Sequence, residues 1–169
     1  MRGLLNFVRP LEPDRTLIDV NALLRDAVEV LRSRYDEAGV TARLVLAPYL
    51  PEVHLDPNHL EQVVQGLLTN ALEATPRAGT VTVASKLLST PENSHALSIA
   101  IEDTGEGIPP ENRERVFEPF FTTKAHGTGI GLPLAKKFVE RNGGTISLSD
   151  GSQGGTRVEV VFPLMNGSN

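Results

Sequence analysis

Between Pro57 and Ala74 the apolar positions fall at Leu60, Val63, Val64, Leu67, Leu68, Ala71 and Leu72, the i, i+3, i+4, i+7, i+8 rhythm of one continuous helix face. Asp56 stands where an N-cap is wanted, and Pro57 suits the first helical position. Gln62, Gly66, Asn70 and Glu73 form a polar line on the other side of this helix. Such a line is ordinarily a solvated face; it is also where a ligand could meet the helix. The same rhythm predicts a helix from Asn21, as N-cap, to about Ala38, with Leu23, Leu24, Ala27, Val28, Val30 and Leu31 inward and Gly39 as its end. A third runs from Ile130 to Asn142, with Leu132, Leu134, Ala135, Phe138 and Val139 apolar and Gly143-Gly144 closing it. Its Pro133 lies in the first turn, where proline is tolerated.

Alternation of period two predicts the strands. Val40 to Ala47 alternates weakly. Thr80 to Leu87 turns Val81 and Val83 inward, and after the polar loop Ser89–Ser94 the strand Ala96 to Asp103 does the same with Leu97, Ile99 and Ile101, so the two read as a hairpin. Pro109 to Val116 has room for one helical turn. Thr145 to Ser149 and Thr156 to Phe162 are joined by the turn Asp150–Gly155, and Thr156 shares the inward parity of Val158, Val160 and Phe162. The order of elements repeats no βαβ unit. It predicts an α+β, two-layer sandwich, helices on one face of a mixed, mostly antiparallel sheet. Leu4, Leu5, Phe7 and Val8 read as the end of a truncated helix that Pro10 and Pro13 terminate. The division expected is therefore 1–13 as linker, 14–164 as one domain and 165–169 as a disordered tail.

Composition narrows the partners. The chain has 169 residues, 40% hydrophobic and 22% charged, ordinary for one globular domain. A net charge of -5 argues against a nucleic-acid surface. The lack of cysteine excludes disulfides and thiolate metal sites and fits the cytoplasm. No apolar run approaches the ~18 residues of a membrane span, so no membrane contact is expected.

The chemistry concentrates between Glu102 and Leu132. Asp103 continues the apolar parity of its strand, so it points inward, and a half-buried carboxylate needs a donor. The amino group of a flat ring such as adenine would supply one. An Asx turn closing the strand explains Asp103-Thr104-Gly105 equally well on its own. A second glycine cluster, Gly127-Thr128-Gly129-Ile130-Gly131-Leu132, opens the third helix, where free N–H groups attract phosphate.

Together these residues resemble the catalytic ATP-binding domain of sensor histidine kinases, of the superfamily shared with gyrase and mismatch-repair ATPases. The matching motifs are an N box (Glu61–Ala74), a first glycine box (Asp103-Thr104-Gly105-Glu106-Gly107), a phenylalanine box (Phe117–Lys124), the second glycine box (Gly127–Leu132) and a terminal Gly154-Gly155-Thr156. The Phe-Phe-Thr-Thr-Lys form and a very short lid are similar to the nitrogen-regulation branch. The resemblance implies the Bergerat ATP-binding fold, with ATP and Mg²⁺ as cofactors. It implies that Asp103 accepts from adenine with Thr156 nearby, and that Asn70 holds Mg²⁺ and, with Lys124, serves catalysis. It further implies nucleotide contacts from Glu73, Gly105, Gly107, Ile108, Thr123, Lys124, Gly127, Thr128, Gly129, Ile130, Gly131 and Leu132. Ala125 and His126 would form the lid, though His126 reads more readily as an exposed loop residue.

Two departures matter. Gly66 stands where the kinases usually carry Asn and the hydrolytic relatives a Glu base, so water activation is disfavoured. None of His54, His59, His95 or His126 sits in a phospho-acceptor motif. The implied activity is transfer of the ATP γ-phosphoryl group to a histidine on a dimerisation domain outside this sequence, upstream of a response regulator. The isolated chain is expected to be monomeric. A nucleotide-sensing module without transfer and an anti-sigma-type serine kinase are the alternatives.

Overall fold

Residues 12–121 and 131–164 are described in the structure, a computed structural model. In chain order they form β1 (Thr16–Ile18), α1 (Val20–Ala38), β2 (Thr41–Val45), β3 (Val53–Leu55), α2 (Pro57–Ala74), β4 (Thr80–Ser89), β5 (His95–Asp103), two short 3-10 turns (Pro110–Asn112 and Arg115–Phe117), α3 (Gly131–Arg141), β6 (Thr145–Asp150) and β7 (Thr156–Leu164). The strands β2-β4-β5-β7-β6 make a five-stranded sheet in which β2 and β4 are parallel and every other pair antiparallel. The α+β sandwich expected from the pattern is the fold observed. Residues 1–11 of the expected linker 1–13, and the expected tail 165–169, lie outside the described residues.

Helix α2 begins as its sequence dictates: Asp56 Oδ1 accepts from the N–H groups of Asn58 at 2.9 Å and His59 at 3.2 Å. Its apolar stripe from Leu60 to Leu72 is buried throughout against α1, α3 and the sheet. This is the core, and Leu68, Leu97, Ile99, Ile101 and Phe138 are its largest fully buried side chains together with Leu24.

Helix α1 departs from expectation at two residues. Its N-cap is Asp19, whose Oδ1 accepts from Ala22 N at 3.1 Å, and not Asn21. Asn21 is buried instead, donating to Ala47 O at 2.8 Å and accepting from Ser85 Oγ at 2.7 Å. The sheet claims its amide, which leaves the cap to the more exposed aspartate. Val30 is 62% exposed, because the buried stripe runs through Leu24, Val28, Leu31 and Tyr35 and leaves position 30 outside it.

Strands β1 and β3 were not expected. Each is three residues long, too short for alternation to register, and they pair antiparallel as Thr16↔Leu55, Leu17↔His54 and Ile18↔Val53. The turn expected in Pro109–Val116 is split into two 3-10 turns. In β5 the alternate set Ala96, Ser98 and Ala100 is buried as well as the inward set. This strand lies between β4 and β7, and its small outer residues sit below longer neighbours; Ser98 Oγ donates to Glu159 Oε2 at 2.6 Å.

Candidate nucleotide-binding site

Asp103 ends β5 and is 5% exposed. Its Oδ1 accepts from Gly105 N at 2.9 Å and from Thr156 N at 3.2 Å. The Asx turn is therefore present, and the start of β7 is attached to the same oxygen. Two glycines make this geometry possible. A Cβ at Gly155, which has φ +74°, would lie 2.1 Å from Asp103 O, and one at Gly105 would lie 2.1 Å from Ala74 O. Ala74 is the last residue of α2, so the helix that carries Asn70 and Glu73 is seated directly against the first glycine box.

The turn between β6 and β7 is clasped over the end of β5. Glu102 Oε1 accepts from Ser152 N at 2.7 Å and Oγ at 2.5 Å, and Glu102 Oε2 lies 3.5 Å from Arg157 Nη1. Burial raises the Glu102 pKa, but the Ser152 hydrogen bonds and Arg157 outweigh it and hold the carboxyl below its ordinary range. This clasp holds Gly154-Gly155-Thr156 at Asp103. Sequence reading missed it, since nothing local ties Glu102 to a serine fifty residues on.

On α2, Asn70 is half-buried, Glu73 is exposed, and the position of a Cβ on Gly66 meets no atom within 4 Å. Gly131, the first residue of α3, lies beside Asn70; a Cβ there would be 3.7 Å from Asn70 Nδ2. Gly107 has φ +82°, and Ile108 is held by Arg113 Nε, which donates to its carbonyl at 3.2 Å. Leu132 is half-buried and Thr156 buried. The phenylalanine box approaches α3, with Lys136 Nζ 5.3 Å from the Phe117 ring centre and Arg115 stacked over Phe121 at 4.4 Å. Thr123, Lys124, Gly127, Thr128, Gly129 and Ile130, with Ala125 and His126, lie outside the described residues.

The structure thus gathers Asn70, Asp103, Gly105, Gly107, Gly131 and Thr156 where the end of α2, the start of α3 and the ends of β5 and β7 meet. Among the described residues no cluster of three or more histidines, aspartates and glutamates is arranged for a metal. A separate groove lined by Asp19, Asn21, Arg25, Tyr49 and Leu87 contains none of these residues.

Residues 55–166 match the family model described as histidine kinase-, DNA gyrase B- and HSP90-like ATPase. The chain belongs to this ATPase family. Within it, the chain is 31% identical over 161 residues to the sensor histidine kinase ZraS of Escherichia coli O157:H7, covering 95% of this chain and 34% of ZraS. It is 36% identical over 159 residues to the histidine protein kinase DivJ of Caulobacter vibrioides, covering 91% and 26%. The solved catalytic domain of histidine kinase ThkA superposes with a TM-score of 0.80 at 27% identity, covering 89% of this chain and 96% of that domain. The chain spans about a third of the length of ZraS and about a quarter of that of DivJ. No helix among the described residues is long and apolar enough to cross a membrane.

Proposed function

We propose that this domain binds Mg-ATP and presents the γ-phosphoryl group to a histidine on a separate dimerisation domain, from which a response regulator would be served. Asp103 accepts from the adenine amino group, with Thr156 beside it. Gly105, Gly107 and Ile108 give adenine a close, backbone-lined wall. Asn70 would hold Mg²⁺ through its side-chain oxygen, with phosphate and water oxygens as the remaining ligands. Thr123, Lys124 and the glycine-rich run Gly127–Leu132 meet the phosphates, and Glu73, one turn along α2 from Asn70, is a further nucleotide contact. The bound Mg²⁺ neutralises phosphate charge; the domain contributes position rather than covalent chemistry.

The observation that carries this reading is Asp103: a buried carboxylate at the mouth of the sheet, held by two backbone N–H groups and walled by glycines that leave no room for a side chain. The absence of any carboxylate at position 66 favours transfer to a protein group over hydrolysis.

The test is Asp103→Asn. Asparagine keeps an oxygen for Gly105 and Thr156, so the fold is expected to melt close to wild type. Loss of a charge-assisted bond to adenine is expected to weaken ATP by about 1.5–3 kcal/mol, roughly tenfold to a hundredfold. Calorimetry giving wild-type ATP affinity in the folded variant would remove adenine from this pocket.

A further inference from the structure

Behind the candidate site, at the far ends of the same two helices, lies a buried polar cluster to which nucleotide binding assigns no role. His59 on α2, 5% exposed, stacks on Phe138 of α3 with ring centres 4.4 Å apart and planes 15° from parallel. Asn142, just past α3, accepts from Asp56 N at its Oδ1 (3.0 Å) and donates from Nδ2 to Phe138 O (2.9 Å). Those two backbone groups permit one orientation of the amide, because turning it over would set donor against donor and acceptor against acceptor. The same Nδ2 also lies 3.1 Å from His59 Nδ1. That ring nitrogen must therefore accept. The imidazole is neutral, with its proton on Nε2, which lies 3.6 Å from Asp56 Oδ2.

Asp56 is the charged group facing the ring, from its own helix. Helix α3 presents Phe138 and Asn142, neither of which titrates. From the approach to β1, Asp14 gives its backbone N–H to Asp56 Oδ2 at 2.8 Å, and Arg15 Nη2 donates to Arg141 O at 2.8 Å on the exposed rim. The incoming segment is thus attached to the cluster.

The two helices run antiparallel. The start of α2 meets the end of α3 at this cluster, and eleven residues further along each, about 16 Å away at 1.5 Å per residue, Asn70 lies beside Gly131. We propose that Asn142 and neutral His59 are positioning residues for the nucleotide site: they hold α3 in register along α2, hence Gly131 against Asn70, and charging His59 slackens that register and weakens nucleotide binding from the far end. A charged ring would set its Nδ1–H against the Asn142 N–H, and Asn142 could yield only by giving up its bonds to Asp56 and Phe138. Burial keeps the His59 pKa below the ordinary imidazole range despite Asp56, so the neutral state holds at neutral pH and the ring charges only on acidification. The inference rests on the nucleotide reading of the Asn70–Asp103 pocket.

The test titrates Mg-ADP into the full chain at about pH 7.5 and about pH 5.5, a range spanning imidazole titration, for wild type and His59→Phe. Phenylalanine keeps the stack and cannot charge, and the comparison cancels the ligand's own protonation. Wild type is expected to lose about fivefold more affinity on acidification than the variant, the low end of ordinary coupling between sites. In nucleotide-free wild type, the Gly131 amide resonance is expected to shift with the His59 titration. In Asn142→Asp, which turns the amide donor into an acceptor, both titrations should move together to higher pH, an effect that mere loss of packing would not produce. Equal losses in wild type and His59→Phe, or a Gly131 resonance indifferent to His59, overturns the proposal. If wild type fails to bind Mg-ADP even near neutrality, the nucleotide reading falls, and the Gly131 resonance still decides whether His59 sets the helix register.

Discussion

Tyr35 joins two helices with one atom: its buried hydroxyl donates to Leu68 O at 2.6 Å, tying α1 to the middle of α2. Burial, reinforced by the negative charge of Asp103 and opposed by Arg34, pushes its phenol far above the ordinary range. A phenol that ionises more readily unfolded than folded makes the fold lose stability as pH rises past about 10, where the unfolded chain begins to release the proton. One of the two tyrosines should therefore form phenolate only as the protein unfolds in alkali, which absorbance and circular dichroism recorded together would reveal. Tyr35→Phe is expected to cost about 1 kcal/mol in urea denaturation. Neither role is visible in the sequence, where Tyr35 is merely the next turn of a helix stripe. Asp103 is different. Its inward direction follows from the parity of Leu97, Ile99 and Ile101, because a strand has one strict period and no freedom to rotate a single side chain off its face. The glycines around it were legible as a group, but the backbones that crowd them were not. Ala74 and Asp103 reach Gly105 and Gly155 through tertiary packing alone.

At the scale of elements, long periodic segments were legible and short paired ones were not. Helix α2 followed its pattern from cap to last turn, since seven apolar positions on one face leave a single way to bury them. The strands β1 and β3 left no trace, because three residues carry too little alternation and their pairing is decided by where α2 and the incoming chain happen to meet. Two glycines separate local propensity from tertiary constraint. Gly66 sits in the interior of α2 facing open space, so Gly66→Ala is expected to raise stability by about 0.5–1 kcal/mol. Gly155 combines a positive φ with a contact that no Cβ could occupy, so Gly155→Ala is expected to lower the urea midpoint and disturb Asp103 together. A Gly155→Ala protein as stable as wild type would mean that the β6–β7 turn can move away from β5 at no cost.

For the whole molecule, the proposed chemistry requires a nucleophile that this sequence does not supply in a phospho-acceptor motif. The isolated chain is therefore expected to bind Mg-ATP without labelling itself or turning ATP over usefully. Mixed with a matching histidine-bearing helical dimer, it should transfer phosphate in trans, slowly, because separation discards the effective concentration a tether gives. An acid-labile, base-stable phosphate assay on both components decides this, and label on His54, His59, His95 or His126 would contradict it. The small β1–β3 sheet bears on how such a tether would act. It lies apart from the five-stranded sheet, and its outer pair, Thr16↔Leu55, is the one nearest the entering chain. A tension applied at Glu12 would first load the Asp14 and Arg15 contacts and then open that ladder from its end, one pair at a time, as a zipper opens, rather than shearing all its bonds at once. The three residues of β1 would then pay out about 10 Å of chain at ~3.3 Å each, a mechanical fuse that yields before the core of the domain feels the pull.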